Sequence, residues 1–393
     1  MTIRLMAITM CMAWTTSMFA GEPMLVNPKP VFSTSQPAYK GPNQYHDFSM
    51  RLSPDGKRVL YTRPVAGSEQ SDQRSSRSEL VLRELDGGKE TVLLIGSLDS
   101  GWRTVFTRFN MFDSAGKRLV LPDISAQPTS ASTTGMKWLI YDIAQAKATN
   151  TDIADGIVLA KFAADGQALV TTVGTGPREL ATRIISLKTP KAEPKLLTAP
   201  GYIQSICPTG DAAAFFVPPA RSATQTQPAT QTGTPSTCLV LWDLKADKEL
   251  AQIPTHPRNS MLDDWETQWT ADGRYLYYGD VEEIAAEEQS GRPSYRYVTR
   301  IWDKQAGQLA GAVRDAVPVG PGPGPSLMVL AKHTQNPSGG FLLHDASRGT
   351  ELPLGDASKS LIHAYGGKVI YAEKLAGSDA EDVFSADLVI PKP

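Results

Sequence analysis

A short polar turn that contains glycine, followed by an apolar strand, recurs along the whole chain. The clearest copies are residues 53–61, Ser-Pro-Asp-Gly-Lys-Arg-Val-Leu-Tyr, and residues 271–278, Ala-Asp-Gly-Arg-Tyr-Leu-Tyr-Tyr. Glycine tolerates the positive φ of a tight hairpin, so each copy predicts a turn between two antiparallel strands. Strong and weak copies together place turns at Gly56, Gly116, Gly166, Gly210, Gly273, Gly322 and Gly366.

A second strand that ends in a polar turn follows each copy, with examples at 79–88, 138–142, 239–244 and 298–303. Two hairpins in every unit of about 40–60 residues predict an all-β, seven-bladed β-propeller of four-stranded antiparallel blades. Many strands are apolar on both faces, which suits a blade that is packed between two neighbours. The alternative is an open array of β-sandwiches, whose strands would each show one polar face.

The last unit has apolar strands at 369–373 and 383–390 and lacks an outermost strand. Residues 24–34 precede the first blade and belong to no other unit. We therefore predict that an N-terminal segment, residues 21–43, closes the ring by giving its strand to a propeller that spans residues 44–393. The alternative is a disordered leader, which the prolines at 28, 30 and 37 favour.

Residues 1–20 are typical of a secretory signal peptide. Arg4 is the only charged residue, an apolar stretch runs from Leu5 to Trp14, and cleavage is predicted after Ala20. The alternative is an N-terminal membrane anchor, but the apolar run is too short to cross a bilayer. We expect a periplasmic or secreted protein that is monomeric and has no membrane span after cleavage.

Charge and composition narrow the possible functions. The 393 residues include 39 Lys and Arg against 41 Asp and Glu, and 41% of them are apolar. This balance excludes an intrinsically disordered chain and a polybasic nucleic-acid binder.

Signal cleavage leaves two cysteines, Cys207 and Cys238. An oxidising compartment favours a disulfide between them. In the predicted blade, however, they lie at opposite ends of one strand, about 17 Å apart. A disulfide needs Cα atoms within about 7 Å. We therefore predict two unpaired, largely buried thiols.

The run at 53–61, together with 271–277, resembles the repeats of TolB-type, WD-repeat-like propellers. Similar units form the N-terminal propellers of prolyl-oligopeptidase-like peptidases. The resemblance covers residues 44–390 and is closest in the first and fifth units. It implies a periplasmic propeller that binds protein partners. We expect neither the α/β domain of TolB proteins, for which residues 21–43 are too short, nor the hydrolase domain of the peptidases.

Motifs for common catalytic chemistry are missing from the sequence. It has no G-x-S-x-G nucleophile elbow, no H-E-x-x-H zinc motif and no C-x-x-C pair. The run at 320–324, Gly-Pro-Gly-Pro-Gly, has proline where a phosphate loop needs amides, so it is interpreted as a rigid connector. His344 takes the place of Trp242 and Trp302 in the strand pattern and is expected to be structural. We expect no catalytic residue, no metal and no cofactor.

The long insertions all connect the second and third strands of a unit, at 66–78, 123–136, 218–236 and 280–296. The last one carries Glu282, Glu283, Glu287 and Glu288, and residues 282–289 are a candidate for a short helix. These carboxylates are interpreted as a solvated face. The alternative is a site for a cation or a basic partner.

Segments that enter the innermost strands share one rim of the ring with these insertions. The candidates for ligand or partner binding on this rim are His46, Asp47, Trp102, Arg103, Asp263, Asp264, Trp265 and Glu266. Packing between blades is the alternative role for the two tryptophans.

We predict a non-catalytic scaffold that binds another envelope or secreted protein, or a small ligand at the channel mouth, and no nucleic acid. One alternative is a propeller hydrolase, lactonase or lyase with its site at the central channel. Another is a structural fragment of a larger assembly.

Overall fold

The computed structural model describes residues 22–33, 50–65, 77–97, 111–123, 137–151, 157–176, 179–217, 238–256, 267–284, 294–332, 340–354, 359–374 and 381–391. All the regular secondary structure within these ranges consists of β-strands. In this part of the chain, no helix is long and apolar enough to cross a membrane. Residues 1–20, the predicted signal peptide, lie outside it.

The strands form seven antiparallel sheets, which are the blades of a β-propeller. Within a blade we name the strands A to D from the innermost to the outermost. Blades 1 to 3 contain β2 (Arg51–Leu52), β3 (Arg58–Pro64), β4 (Arg77–Glu84) and β5 (Glu90–Ser97); β6 (Arg118–Asp123), β7 (Lys137–Asp142) and β8 (Lys147–Thr151); and β9 (Ile157–Phe162), β10 (Ala168–Gly176), β11 (Glu179–Ser186) and β12 (Lys195–Leu197).

Blades 4 to 6 contain β13 (Tyr202–Ile206), β14 (Ala212–Val217), β15 (Cys238–Asp243) and β16 (Lys248–Pro254); β17 (Gln268–Trp269), β18 (Tyr275–Ile284), β19 (Ser294–Asp303) and β20 (Gln308–Arg314); and β21 (Ala316–Pro321), β22 (Leu327–Lys332), β23 (Phe341–Asp345) and β24 (Thr350–Leu354). Blade 7 contains β25 (Lys359–Tyr365), β26 (Lys368–Lys374), β27 (Glu381–Val389) and β1 (Met24–Ser33). The predicted seven-bladed propeller is confirmed. In blade 2 an isolated bridge between Phe112 and Leu119 marks the place of strand A.

The N-terminal strand closes the ring, as predicted. β1 lies outside β27 as strand D of blade 7, and its antiparallel register runs from Met24 opposite Val389 to Ser33 opposite Asp382. Val31 is only 2% exposed and packs with residues of both blade 7 and blade 1, among them Ile370 and Tyr61. The first segment of the chain therefore joins the last blade to the first.

The glycine turns between strands A and B have a repeated geometry. In blade 1 the Ser53 N–H donates to the Arg58 carbonyl at 2.9 Å, and in blade 4 the Cys207 N–H donates to the Ala212 carbonyl at the same distance. Gly56 has a φ of 66°, which glycine adopts without strain. Cys207 therefore occupies the same position in blade 4 as Ser53 does in blade 1.

These turns also join each blade to the next. The Arg58 guanidinium donates to the carbonyl of Gly116 at 3.3 Å, from blade 1 to blade 2. The Cys207 thiol does the same to the Gly273 carbonyl at 3.3 Å, from blade 4 to blade 5. The rim that carries the turns, here called the turn face, is thus built from contacts between blades. The opposite rim, with the B–C loops and the entries to strand A, is the loop face.

Both cysteines are unpaired, as predicted. Cys207 is fully buried, and its sulfur lies 2.9 Å from the Thr209 hydroxyl. Burial raises the pKa of the Cys207 thiol, so it is protonated at neutral pH. Cys238 is only half-buried, which corrects the expectation that both thiols would be largely buried. It begins β15 opposite Val217, where the sheet emerges on the loop face.

Two other expectations concern single side chains and a short segment. His344 is structural, as expected: it is buried, and its Nδ1 lies 2.7 Å from the Tyr277 hydroxyl in a hydrogen bond between blades 5 and 6. The short helix over 282–289 is wrong for residues 282–284. These residues form the end of strand β18 and pair in antiparallel register with residues 294–296 of β19.

Candidate binding face and central channel

All eight residues proposed for the binding rim lie outside the described residues: His46, Asp47, Trp102, Arg103, Asp263, Asp264, Trp265 and Glu266. They therefore stay predictions. Most of the four long insertions also lies outside the described residues. The structure describes the flanks of the insertion in blade 5, and these flanks carry part of the predicted face.

The B–C hairpin of blade 5 projects beyond its own sheet. Within the described residues β18 and β19 have 10 residues each, the longest second and third strands of any blade. β20 follows β19 only as far as Arg314 opposite Val298. Beyond that level, residues 281–284 pair with residues 294–297 alone among the described strands. At about 3.4 Å per residue this two-stranded ribbon extends the loop face by about 13 Å.

Ion pairs hold the base and flank of the ribbon. Asp280 is buried, accepts a hydrogen bond from the Arg300 guanidinium at 2.5 Å and accepts another from the His256 N–H at 2.9 Å. Further out, Arg314 donates to Glu282 at 2.9 Å. This hydrogen bond and the nearby arginines lower the pKa of the Glu282 carboxyl, so it is ionised at neutral pH. The ribbon is thus a charged, fixed projection.

A second candidate site is the central channel, which the A strands line. The registers of the hairpins show which positions are equivalent in different blades. One residue of each strand A lies opposite the third residue of strand B. In blade 1, Arg51 lies opposite Leu60, and in blade 3, Lys161 lies opposite Val170. From blade 1 to blade 7, the equivalent residues are Arg51, Met111, Lys161, Ser205, Gln268, Gly320 and His363. We call this level the channel ring.

Basic side chains occupy one side of the channel ring, in blades 7, 1 and 3. Burial lowers the pKa of Arg51 to about 10, which still leaves the guanidinium charged at neutral pH. Burial, reinforced by the charge of Arg51, lowers the pKa of His363 to about 3. The Nδ1 of His363 accepts a hydrogen bond from the Leu52 N–H at 3.4 Å. The proton of the neutral ring is therefore on Nε2, which is a donor.

Lys161 is the most unusual member of the channel ring. Its side chain is 9% exposed, and no acceptor among the described residues hydrogen bonds or ion pairs with its ammonium. Burial, followed by repulsion from Arg51, lowers its pKa to about 7. Blades 1 and 3 are not neighbours, so we place this repulsion across the channel.

Met111 is buried in the hydrophobic core, and the remaining three members of the channel ring are polar or small. Ser205 accepts a hydrogen bond from the Thr267 hydroxyl at 2.6 Å, which joins blades 4 and 5. Gly320 has no room for a side chain, since an added Cβ would lie 1.9 Å from the Ala364 carbonyl oxygen. Among the described residues, no three His, Cys, Asp or Glu side chains are grouped so that they could hold a metal ion. The charged members of the described ring are Arg51 and Lys161, and both are hydrogen-bond donors.

Sequence reasoning missed the channel ring, although a signal for it was present. Arg51 and Lys161 each stand five residues before a turn glycine, Gly56 and Gly166. Aligning the turns would have brought the two cations together. His363 does not follow this spacing, because the turn of blade 7 is shorter: Tyr365 pairs with Lys368 directly across Gly366 and Gly367.

The buried neutral state of His363 predicts a pH dependence of stability. Its pKa is about 3 in the folded chain against 6.5 when exposed, so its contribution is complete above pH 6.5 and is lost as the pH falls towards 3. Replacing it by glutamine, His363→Gln, should flatten the fall in unfolding free energy by up to about 1.4 kcal/mol per pH unit. Urea unfolding from pH 7 to pH 4.5 measures this. The wild-type chain, measured at the same pH values, is the reference for this slope.

Comparison with known proteins supports the fold. No protein-family model matches the sequence, and no curated protein matches it. The β-propeller domain of the trilobed protease from Pyrococcus furiosus superposes with a TM-score of 0.53 at 11% identity, over 94% of this chain and 95% of that one. That domain is described as having an open velcro topology, whereas β1 and β27 close the present ring.

Two further structures are similar at lower scores. A prolyl endopeptidase gives a TM-score of 0.49 at 12% identity, over 95% of this chain and 51% of its own length. TolB from Acinetobacter baumannii gives 0.38 at 13% identity, over 86% and 81%. The likeness to the trilobed protease domain, with the sheets described above, identifies this chain as a β-propeller, the fold that its resemblance to TolB-type repeats implied.

Proposed function

We propose that the protein is an exported, non-catalytic scaffold that binds another envelope or secreted protein through its loop face. The observation that carries this proposal is the ribbon of blade 5. Loops on a rigid scaffold commonly carry binding residues, and here two paired strands hold such a projection away from the ring. Its ion pairs, Asp280 with Arg300 and Glu282 with Arg314, fix its direction. A pre-formed ribbon loses little conformational entropy when a partner binds.

The test shortens the ribbon without disturbing the blade. Glu282 and Arg296 are direct partners, so residues 283–295 can be replaced by Asn-Gly, the preferred two-residue hairpin turn. Partners of the intact mature chain are first isolated by cross-linking from an envelope extract, and their affinity is then measured with the purified components. We expect the shortened variant to bind at least tenfold more weakly.

The control changes the turn face instead, with Lys57→Ser and Lys117→Ser, both at exposed positions. These variants should bind as the wild type does. Equal affinity of the shortened variant would overturn the assignment to the loop face. Turnover of an ester, lactone or uronate substrate by the purified chain would overturn the non-catalytic part of the proposal.

A further inference from the structure

We infer that the central channel binds a small oxyanion, a carboxylate or phosphate group, between Arg51, Lys161 and His363. This site is separate from the loop face. Lys161 and His363 lie near the C-terminal ends of their A strands, where the A–B turns begin. The site is therefore nearer the turn face than the loop face. The proposal goes beyond partner binding and does not depend on it.

The first argument is the absence of a counter-charge for a buried cation. Lysine is rarely buried to this degree without a partner, because an ammonium loses its hydration. Lys161 is 9% exposed, and no described carboxylate pairs with it; its Nζ is not one of the fully buried atoms without a partner, so the ammonium still reaches solvent. A bound oxyanion would supply the missing charge and hydrogen bonds.

The second argument is the chemistry of the three side chains that share this level of the channel ring. The guanidinium of Arg51, the ammonium of Lys161 and the Nε2–H of His363 are all donors, and an oxyanion offers only acceptors. The three come from separate blades and occupy one level of the channel ring, which the rigid sheets fix. The strand registers place the three residues at equivalent positions of their A strands, and the charge of Arg51 lowers the pKa of both other side chains.

The third argument concerns access and the absence of competing charges. Arg51, Ser205 and Gln268 keep intermediate exposure, so the channel ring is open to solvent at this level. The other described members of the ring, Met111, Ser205, Gln268 and Gly320, carry no charge. The described charged group that bears on the titration of Lys161 is therefore Arg51.

The experiment titrates the purified mature chain with inorganic phosphate and, in a separate arm, with succinate, both against chloride at equal ionic strength. Calorimetry and the thermal midpoint are the readouts. We expect saturable binding of one anion per chain and a higher thermal midpoint. The arm with the greater affinity identifies whether the group is a phosphate or a carboxylate.

Variants of Lys161 test the position of the site. Lys161→Met should bind at least tenfold more weakly, while Lys188→Met, at an exposed position, should bind as the wild type does. Lys161→Arg keeps the charge and should keep binding. Wild-type affinity should fall as the pH rises above 7, because the ammonium loses its proton. The Lys161→Arg variant should lose this pH dependence, since arginine stays charged.

Several results would overturn the proposal. Equal effects of phosphate, succinate and chloride on the wild type would mean that the channel binds no oxyanion. This result is expected if a carboxylate of the chain itself neutralises Lys161. Binding that survives in Lys161→Met would place the anion elsewhere. If Lys161→Met does not fold, the pH dependence of the wild type against Lys161→Arg decides, and the same fall in both would contradict the site.

Discussion

Removal of residues 21–33 should lower the thermal midpoint of the protein by about 10 °C or more. The deletion strips β1 from β27, and net losses of about 1 kcal/mol per hydrogen bond add to about 2 kcal/mol for burying Val31. It also exposes the backbone of β27 as a sheet edge, which favours aggregation. Differential scanning calorimetry and light scattering measure the two effects.

Point variants test whether the loss of stability comes from opening the ring or merely from shortening the chain. Val31→Asp places a carboxylate among the apolar residues that join blades 7 and 1, and it should cost about 3 kcal/mol or more. Met24→Asp lies on the same strand at a side chain that is 49% exposed, and it should change stability by less than about 0.5 kcal/mol. If the deletion variant had the same thermal midpoint as the wild type, β1 would not close the ring in solution.

Substitution of Gly320 by alanine should destabilise the protein by more than about 4 kcal/mol or prevent folding. The new Cβ would lie 1.9 Å from the Ala364 carbonyl oxygen and 2.8 Å from its carbon, both in the backbone of blade 7. Backbone atoms cannot turn aside as a flexible side chain can, so blades 6 and 7 would have to separate.

Gly87→Ala is the matched control for Gly320→Ala. Its Cβ would meet nothing within 4 Å, and like Gly320 it does not have a positive φ. It should leave the unfolding free energy nearly unchanged, or raise it slightly because alanine restricts the unfolded chain. Chemical denaturation of both variants measures the difference. Equal stability of the two would mean that the approach of Ala364 to Gly320 is not the constraint described here.

The fold could be predicted because its signal is local. Each Asp-Gly or related turn determines one hairpin, and seven hairpins in register leave few arrangements other than a ring. The closing role of residues 24–33 followed from a missing strand in the last unit. The state of the cysteines followed because Cys207 and Cys238 stand at opposite ends of one strand.

The channel ring could not be predicted with the same certainty, because it depends on register between blades. Lys161 and Arg51 are more than a hundred positions apart, and in the sequence only their shared spacing of five residues before a turn glycine relates them. The tight packing of Gly320 on Ala364 depends on how two blades approach each other. The helix proposed near Glu282 is wrong for residues 282–284, because the glutamates suggested a helical face whereas the pairing of β18 with β19 continues to Ile284.

The closing strand has a consequence for the order of events during folding. Asn27 and Asp387 hydrogen bond across 360 positions, so β1, which is synthesised early, can pair only after β27 has left the ribosome. Such a distant contact forms slowly, because the loop that it closes is almost the whole chain. Until then β1 has no partner strand in blade 7, and the half-made ring has two open edges. The time between emergence of residue 24 and residue 389 is thus the period in which the protein most needs protection from other unfolded chains.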